Sequence, residues 1–238
     1  RVRAINLSFI LKDEAIFIAD SHYNKKNQEF KIILEKIKNS EIFCSQIFLM
    51  GDNFDFLSNE IKYFKNRNKD IIELLNSLSD SFEIFYLEGN HDYNLSKIFP
   101  KIKVVKRENQ PLLLKYEDKK IALSHGDNFI NWHYNLYCKI IRNSYFLYFL
   151  NFLDINFFIS KKIEKALENK NICHNLNYFE ELVNKRVKNY TEDIIIEGHY
   201  HQAKSYKIGN QEYINIPSLC CQKSFTRFKN KTFLNENL

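Results

Sequence analysis

Ala15-Ile16-Phe17-Ile18-Ala19-Asp20-Ser21-His22 runs five apolar residues into two side chains that bind metals. An apolar run of that length ending in polar residues reads as a short strand buried on both faces. The same junction recurs twice downstream. Ile47-Phe48-Leu49-Met50 runs into Gly51-Asp52-Asn53-Phe54-Asp55, and Glu83-Ile84-Phe85-Tyr86-Leu87 precedes Gly89-Asn90-His91-Asp92. Between the runs, Phe30, Ile33, Leu34 and Ile37 repeat at helical spacing, and a charged stretch passes through Leu74, Leu75 and Leu78. Strand, helix, strand, helix, strand predicts right-handed crossovers and a largely parallel sheet.

After Pro111 the texture changes. Apolar runs at Leu112 to Tyr116 and Lys119 to Ser124 flank the polar pair Glu117-Asp118, which predicts a hairpin. The second run ends in His125-Gly126-Asp127. A strand over 193–197 leads to Gly198-His199-Tyr200-His201, and a second hairpin is expected across Gly209-Asn210. Residues 129–190 lack glycine and proline, show helical periodicity and hold more than a third of the aromatic residues. They read as a helical insertion within one domain spanning 1–238.

A chain of 238 residues suits one sizeable domain, and its formal charge of +6 suits an anionic substrate or an anionic surface. Five cysteines without Cys-x-x-Cys spacing argue against a disulfide framework and for a reducing compartment, with Cys220-Cys221 an ordinary pair at a strand end. No apolar run is long enough to span a membrane, and the start lacks a signal-peptide layout. These features predict a cytoplasmic protein.

Five of the seven histidines and four of the five glycines lie in the five strand-end segments. Asp, Asn and His suit borderline-hard divalent cations, and strand ends are where an open α/β sheet presents its ligands. In a two-metal site one carboxylate commonly lies between the ions, which sit about 3.5–4 Å apart and clamp a phosphoryl group during in-line attack. Asp52 is the best bridging candidate. Asp20 and His22, spaced i, i+2, can point toward one ion if the chain leaves strand geometry after Asp20, and the His199–His201 pair, at the same spacing, can also send one imidazole to each of two neighbouring ions. Asn90 offers a neutral oxygen, while His91 is free to face a substrate.

The ordered set D-x-H, G-D-x-x-D, G-N-H-D, a lone His and G-H-x-H resembles the calcineurin-like metallophosphoesterase superfamily across residues 15 to 201. The resemblance implies a two-sheet α/β sandwich with flanking helices. It implies Asp20, His22, Asp52 and His201 around one metal, and Asp52, Asn90, His125 and His199 around the other. Mn²⁺ is the expected metal, with Fe or Zn²⁺ as alternatives. His91 would stabilise the transition state or protonate the leaving oxygen, oriented by Asp92.

The insertion is similar to the lid of the UDP-2,3-diacylglucosamine diphosphatases of lipid A biosynthesis, whose His-Gly-Asp variant matches 125–127. The best-known branch of that group has Arg where this chain has His91. The likeness implies a lipid-linked sugar nucleotide cleaved to UMP and a diacylglucosamine 1-phosphate at the cytoplasmic face of the inner membrane. It casts Asn90, Lys161, Lys162 and Lys165 as substrate contacts, the lysines meeting phosphates or the anionic membrane surface.

Blander readings stand beside these. The aromatic stripe of the insertion is equally a helix core, the lysines a solvated face, and His133 and His174 surface or packing residues. Asp55 and Asp127 are expected to cap turns or to hold ligand histidines. Alternative functions are a soluble nucleotide or cyclic-nucleotide phosphodiesterase and a non-catalytic scaffold of the same fold. Dispersed basic residues and the absence of a recognisable module argue against a nucleic-acid partner.

Overall fold

The computed structural model describes residues 9–238. In chain order its first half contains β1 (Phe9–Ile10), β2 (Ala15–Ile18), α1 (Glu29–Lys38), β3 (Gln46–Leu49), β4 (Leu57–Ser58), α2 (Lys62–Arg67), α3 (Lys69–Leu78), β5 (Glu83–Leu87), β6 (Asp92–Tyr93) and β7 (Lys103–Val105). The hairpin β8 (Leu112–Tyr116) and β9 (Lys119–Ser124) follows, then the helices α4 (Trp132–Ile141), α5 (Ser144–Leu153), α6 (Phe158–Glu168) and α7 (Phe179–Arg186). The chain closes with β10 (Ile194–Glu197), β11 (Lys204–Ile208), β12 (Gln211–Asn215), α8 (Leu219–Gln222), β13 (Ser224–Lys229) and β14 (Thr232–Asn237).

The larger strands form two six-stranded mixed sheets, ordered β14-β13-β2-β3-β5-β7 and β1-β8-β9-β10-β12-β11. As the βαβαβ reading requires, β2, β3 and β5 pair in parallel. The two expected hairpins form, β8 with β9 and β11 with β12. The closing hairpin β13–β14, which sets β13 antiparallel to β2, was not foreseen.

Strand alternation builds the layers. Ile16, Ile18, Ile47, Leu49, Ile84 and Tyr86 face α1 and α3, while Phe17, Phe48, Phe85, Met50 and Leu87 face the second sheet. Between the sheets, Phe17 stacks on Phe48 and Phe48 on Phe85, with centroids 4.8 and 4.9 Å apart, a ladder made by aligned register across three parallel strands. On the far side of the second sheet, Phe179 and Val183 of α7 cover Ala122, Ile195 and Tyr213. Burying one such aromatic contributes roughly 2–3 kcal/mol.

The cysteines depart from expectation. Cys173 and Cys221 form a disulfide, and Cys220 and Cys221 lie in α8, not at a strand end. The Cys173–Cys221 bond, across 48 positions, joins the segment between α6 and α7 to α8, which only the tertiary fold brings together.

Candidate metal centre

The segments that follow β2, β3, β5, β9 and β10 converge on one end of the sandwich. Asp20 N–H donates to Gly51 O (3.1 Å) and His22 N–H to Asp52 O (3.0 Å), zipping the first two segments together. Here the backbone leaves strand geometry. Asp20, His22, Asp52, His199 and His201 all have positive φ, between 42° and 64°. Left-handed residues other than glycine cost free energy and persist where surrounding contacts dictate them, which is the case for all five here.

Two glycines are dictated by close approach. A Cβ on Gly89 would lie 2.2 Å from Asp52 Oδ1, and one on Gly51, whose φ is +90°, would lie 2.5 Å from His125 Nδ1. The ligand side chains therefore fill the space that other residues would need.

Two clusters result. The ligating atoms of Asp20, His22 and His201 lie within 4.8 Å of one another, and so do those of Asp52, His125 and His199. In the first, His201 Nε2 is 3.3 Å from Asp20 Oδ1. In the second, His125 Nε2 is 3.5 Å from Asp52 Oδ2, 3.2 Å from Asn90 Oδ1 and 3.2 Å from His199 Nδ1.

The remaining ring nitrogens fix the orientations. His125 Nδ1–H donates to Met50 O (2.9 Å) and His201 Nδ1–H to Ile172 O (3.0 Å), while His22 Nδ1 lies 3.4 Å from Asp55 Oδ1. Such outer partners set the tautomer that leaves Nε2 for an ion.

The electrostatics agree. Burial pushes the Asp52 carboxyl up, but the charges of His125, His91 and His22 outweigh it and hold Asp52 well below the usual carboxylate range. Burial opposes protonation of His125, yet Asp52, helped by Asp20, raises its pKa to about 10. Burial and the neighbouring His125 charge push His199 down to about 4. A proton on His125 thus stands where a cation would neutralise the same carboxylates.

The donors fit divalent cations. They are carboxylate oxygen and imidazole nitrogen with no thiolate, and Asp20 Oδ1 is buried with no hydrogen-bond donor among the described residues. A family model described as calcineurin-like phosphoesterase matches residues 15–203.

The chain belongs to the calcineurin-like phosphoesterase family.

Two curated relatives of this metallophosphoesterase carry the name UDP-2,3-diacylglucosamine hydrolase. One, from Wigglesworthia glossinidia brevipalpis, is 22% identical over 211 residues covering 83% of each chain. The other, from Coxiella burnetii (strain RSA 493 / Nine Mile phase I), is 22% identical over 200 residues covering 79% of this chain and 80% of its own. Among solved structures, an archaeal phosphodiesterase superposes with a TM-score of 0.48 at 12% identity, covering 94% of this chain and 99% of its own. The phosphoesterase Yfce from E. coli gives 0.48 at 15%, covering 92% and 90%.

Several expected roles change in this metallophosphoesterase. Asp92 does not orient His91. Its carboxylate accepts the N–H groups of Asp52 (2.9 Å), Asn53 (2.7 Å) and Gly89 (2.9 Å) and the Tyr86 hydroxyl (2.6 Å), so it shapes the loop that carries Asp52. His91 is instead aligned by Nδ1–H donating to Asp55 O (2.6 Å). Asp127 holds no histidine. It is buried between Arg107 (2.8 Å) and Arg142 (3.4 Å), and Arg142 also donates to Gly89 O (2.7 Å), tying the end of α4 to the Asn90 loop.

Two cavities meet at the centre. A cavity of about 490 Å³ runs between the insertion and the core, lined by Phe64, Tyr137, Phe146, Leu150, Ile159 and Ile163 among others and reaching Asn90 and His91. A second, of about 270 Å³, lies over His22, Asp52, His199 and His201 beneath Asn171, His174 and Tyr178. Lys161, Lys162 and Lys165 line neither and are exposed. Lys161 Nζ caps Asn156 O and Lys162 lies over the Phe158 ring. Lys170, which sequence reading passed over, lines both cavities, and His174, exposed as a surface residue, sits on the rim of the second.

Proposed function

We propose that the protein hydrolyses UDP-2,3-diacylglucosamine to UMP and 2,3-diacylglucosamine 1-phosphate, with two divalent cations, Mn²⁺ foremost, that Asp52 would help to hold. The observation that carries this reading is the apolar cavity of about 490 Å³ that opens onto Asn90 and His91. A centre for water-soluble esters has no use for such a chamber, whereas acyl chains lose contact with water on entering it. The names of the two curated relatives support the same substrate class.

The cations, once bound, supply Lewis-acid charge for the phosphoryl oxygens and activate water. The chain's own groups do the rest. Asp20, His22 and His201 would hold one ion, and Asn90, His125 and His199 the other. His91, fixed through Nδ1 to Asp55 O, offers Nε2 to the substrate, and in its protonated form gives the leaving phosphate oxygen a proton. Lys170, at the seam of the cavities, faces the diphosphate.

The insertion also supports contact with an anionic membrane. Tyr145 (87%), Phe152 (81%) and Ile155 (76%) are exposed, with Lys161 and Lys162 on the neighbouring helix. No helix among the described residues is long and apolar enough to cross a membrane, so the proposed attachment is peripheral, at the cytoplasmic face of the inner membrane.

A second reading, a soluble nucleotide phosphodiesterase, draws on the smaller cavity, where His174, Tyr178 and Tyr200 surround the clusters without an apolar chamber. One assay separates the two. Purified protein, Mn²⁺, mild detergent and UDP-2,3-diacylglucosamine are mixed and UMP release is followed, with Asp52→Asn in parallel. Release by the wild type alone is the expected result. Cleavage of bis-p-nitrophenyl phosphate without UMP release would overturn the lipid substrate and leave the soluble reading.

A further inference from the structure

The segment 169–178 joins α6 to α7 with no helix or strand, yet it forms one wall of the cavity over the metal clusters through Lys170, Asn171, Ile172, His174, Leu176 and Tyr178. Three hydrogen bonds hold it to the segment that carries His201. Ile172 O accepts from His201 Nδ1 (3.0 Å), Leu176 N–H donates to Gln202 Oε1 (2.9 Å), and His174 O accepts from Gln202 Nε2 (3.0 Å). A segment without helix or strand that is held by only three partly buried hydrogen bonds opens readily unless tethered. The tether is the Cys173–Cys221 disulfide, whose Cys221 Sγ lies 3.6 Å from His201 Nδ1.

We propose that this disulfide is a redox-modification site acted on by a dithiol reductant, and that its cleavage unstraps 169–178 from the metal centre.

Access favours the chemistry. Cys173 is exposed and Cys221 half-buried, whereas the free thiols of Cys44, Cys138 and Cys220 are all buried. A thiolate of the reductant attacks Cys173 Sγ, the Cys173–Cys221 bond breaks, and the Cys221 sulfur departs and takes a proton. The reductant's second thiol then displaces Cys173 from the mixed disulfide. Two electrons and two protons pass to the protein, leaving two cysteine thiols and an oxidised reductant.

The consequence reaches the metal through Ile172, the immediate neighbour of Cys173. Its carbonyl is the acceptor that sets the His201 tautomer, and a strap free to leave takes that acceptor with it. Cleavage therefore both widens the approach to the centre and loosens one ligand.

The test uses the full chain in oxidised form, the same protein after dithiothreitol treatment and desalting under argon, and the variants Cys173→Ser and Cys220→Ser. Thiol alkylation with mass spectrometry counts the bridge, tryptic cleavage after Lys170 reads the strap, and calorimetric titration with Mn²⁺ alone reads the centre. Reduction is expected to raise cleavage at Lys170 about tenfold as the segment opens. It is also expected to weaken Mn²⁺ binding about tenfold as the outer partner of His201 is lost. Cys173→Ser should match the reduced protein, and Cys220→Ser the oxidised wild type. Re-oxidation of the wild type should restore both readouts, which separates unstrapping from misfolding of a variant. Cys173 recovered as a free thiol after exposure to oxidised glutathione, or cleavage and Mn²⁺ affinity indifferent to reduction, would overturn the proposal.

Discussion

The metal cradle and the helical insertion were both legible as segments, yet they are held by opposite physics. In the cradle, Asp20, His125 and Asp92 are fully buried, and each left-handed residue is dictated by bonds from neighbouring segments. In the insertion, α5 and α6 leave large apolar side chains in solvent and meet the core mainly through one cavity wall and a few polar anchors, among them Arg142 on Gly89 O, Glu164 accepting from the Tyr63 hydroxyl (2.7 Å) and Ser144 on Glu60. Over-determination preserves chemistry, and loose attachment leaves a surface free to vary with the substrate. Changes in the cradle should therefore abolish turnover of every substrate, and changes in the insertion should discriminate among substrates.

The largest effect is expected for Asp52→Asn, with kcat falling by about a thousandfold or more on both bis-p-nitrophenyl phosphate and the lipid substrate, since charge that stabilises the transition state is lost. Circular dichroism should stay native. Survival of activity on either substrate would break the comparison at its root. Gly89→Ala comes next. Its Cβ would press on Asp52 Oδ1, so Mn²⁺ titration should show lost affinity and denaturant unfolding a loss of about 1–3 kcal/mol.

A pH series tests the cradle's charge balance. The His125 pKa lies above its ordinary value, so the stabilisation it gives the metal-stripped protein is complete below about pH 6.5 and is lost as pH rises through about 10. The melting temperature of stripped protein should fall between pH 7 and 10, while Mn²⁺ affinity should climb over the same interval as the proton leaves. Parallel behaviour of stripped and loaded protein would show that His125 is not a ligand.

In the insertion, Leu150→Asp places a charge in the large cavity and should raise KM for the lipid substrate about tenfold or more, with bis-p-nitrophenyl phosphate unaffected. Equal losses on both substrates would erase the distinction between the regions. The smallest effect on catalysis belongs to Lys161→Glu with Lys162→Glu. Sedimentation with anionic vesicles should weaken by roughly fivefold per charge removed, while turnover in detergent stays unchanged.

How far the sequence could be read follows the same division. The clustering of Asp20, His22, Asp52, His125, His199 and His201 was legible because strand-end motifs are local, and the strands behind them announce themselves by unbroken apolar runs. Asp92 misled because adjacency to His91 in sequence is not contact, and a carboxylate ringed by N–H groups is invisible without coordinates. As phosphate contacts, though not as membrane-facing charges, the lysines misled through helical phase. On α6, Ser160, Ile163 and Leu167 turn toward the cavity, which leaves Lys161, Lys162 and Lys165 outside, and Lys170 enters only beyond the helix end. The Cys173–Cys221 bridge and the β13–β2 pairing are contacts between distant segments that no local pattern encodes.

That β13 lies beside β2 has a consequence for how the molecule comes into being. The strand leading to Asp20 acquires its outer neighbour from residues 226–228, and Asp20 itself is pinned by His199 N–H and by the Ser218 hydroxyl on its backbone oxygen, across sequence separations of 179 and 198. Such distant pairings place folding at the slow, high-contact-order end. A nascent chain emerging from the ribosome has its β2–β3–β5 segments early but gains His201, the last member of the Asp20 cluster, only when most of the polypeptide has been made. The Asp20, His22 and His201 cluster is thereby completed late in biosynthesis, and an ion held there would enter a nearly finished fold.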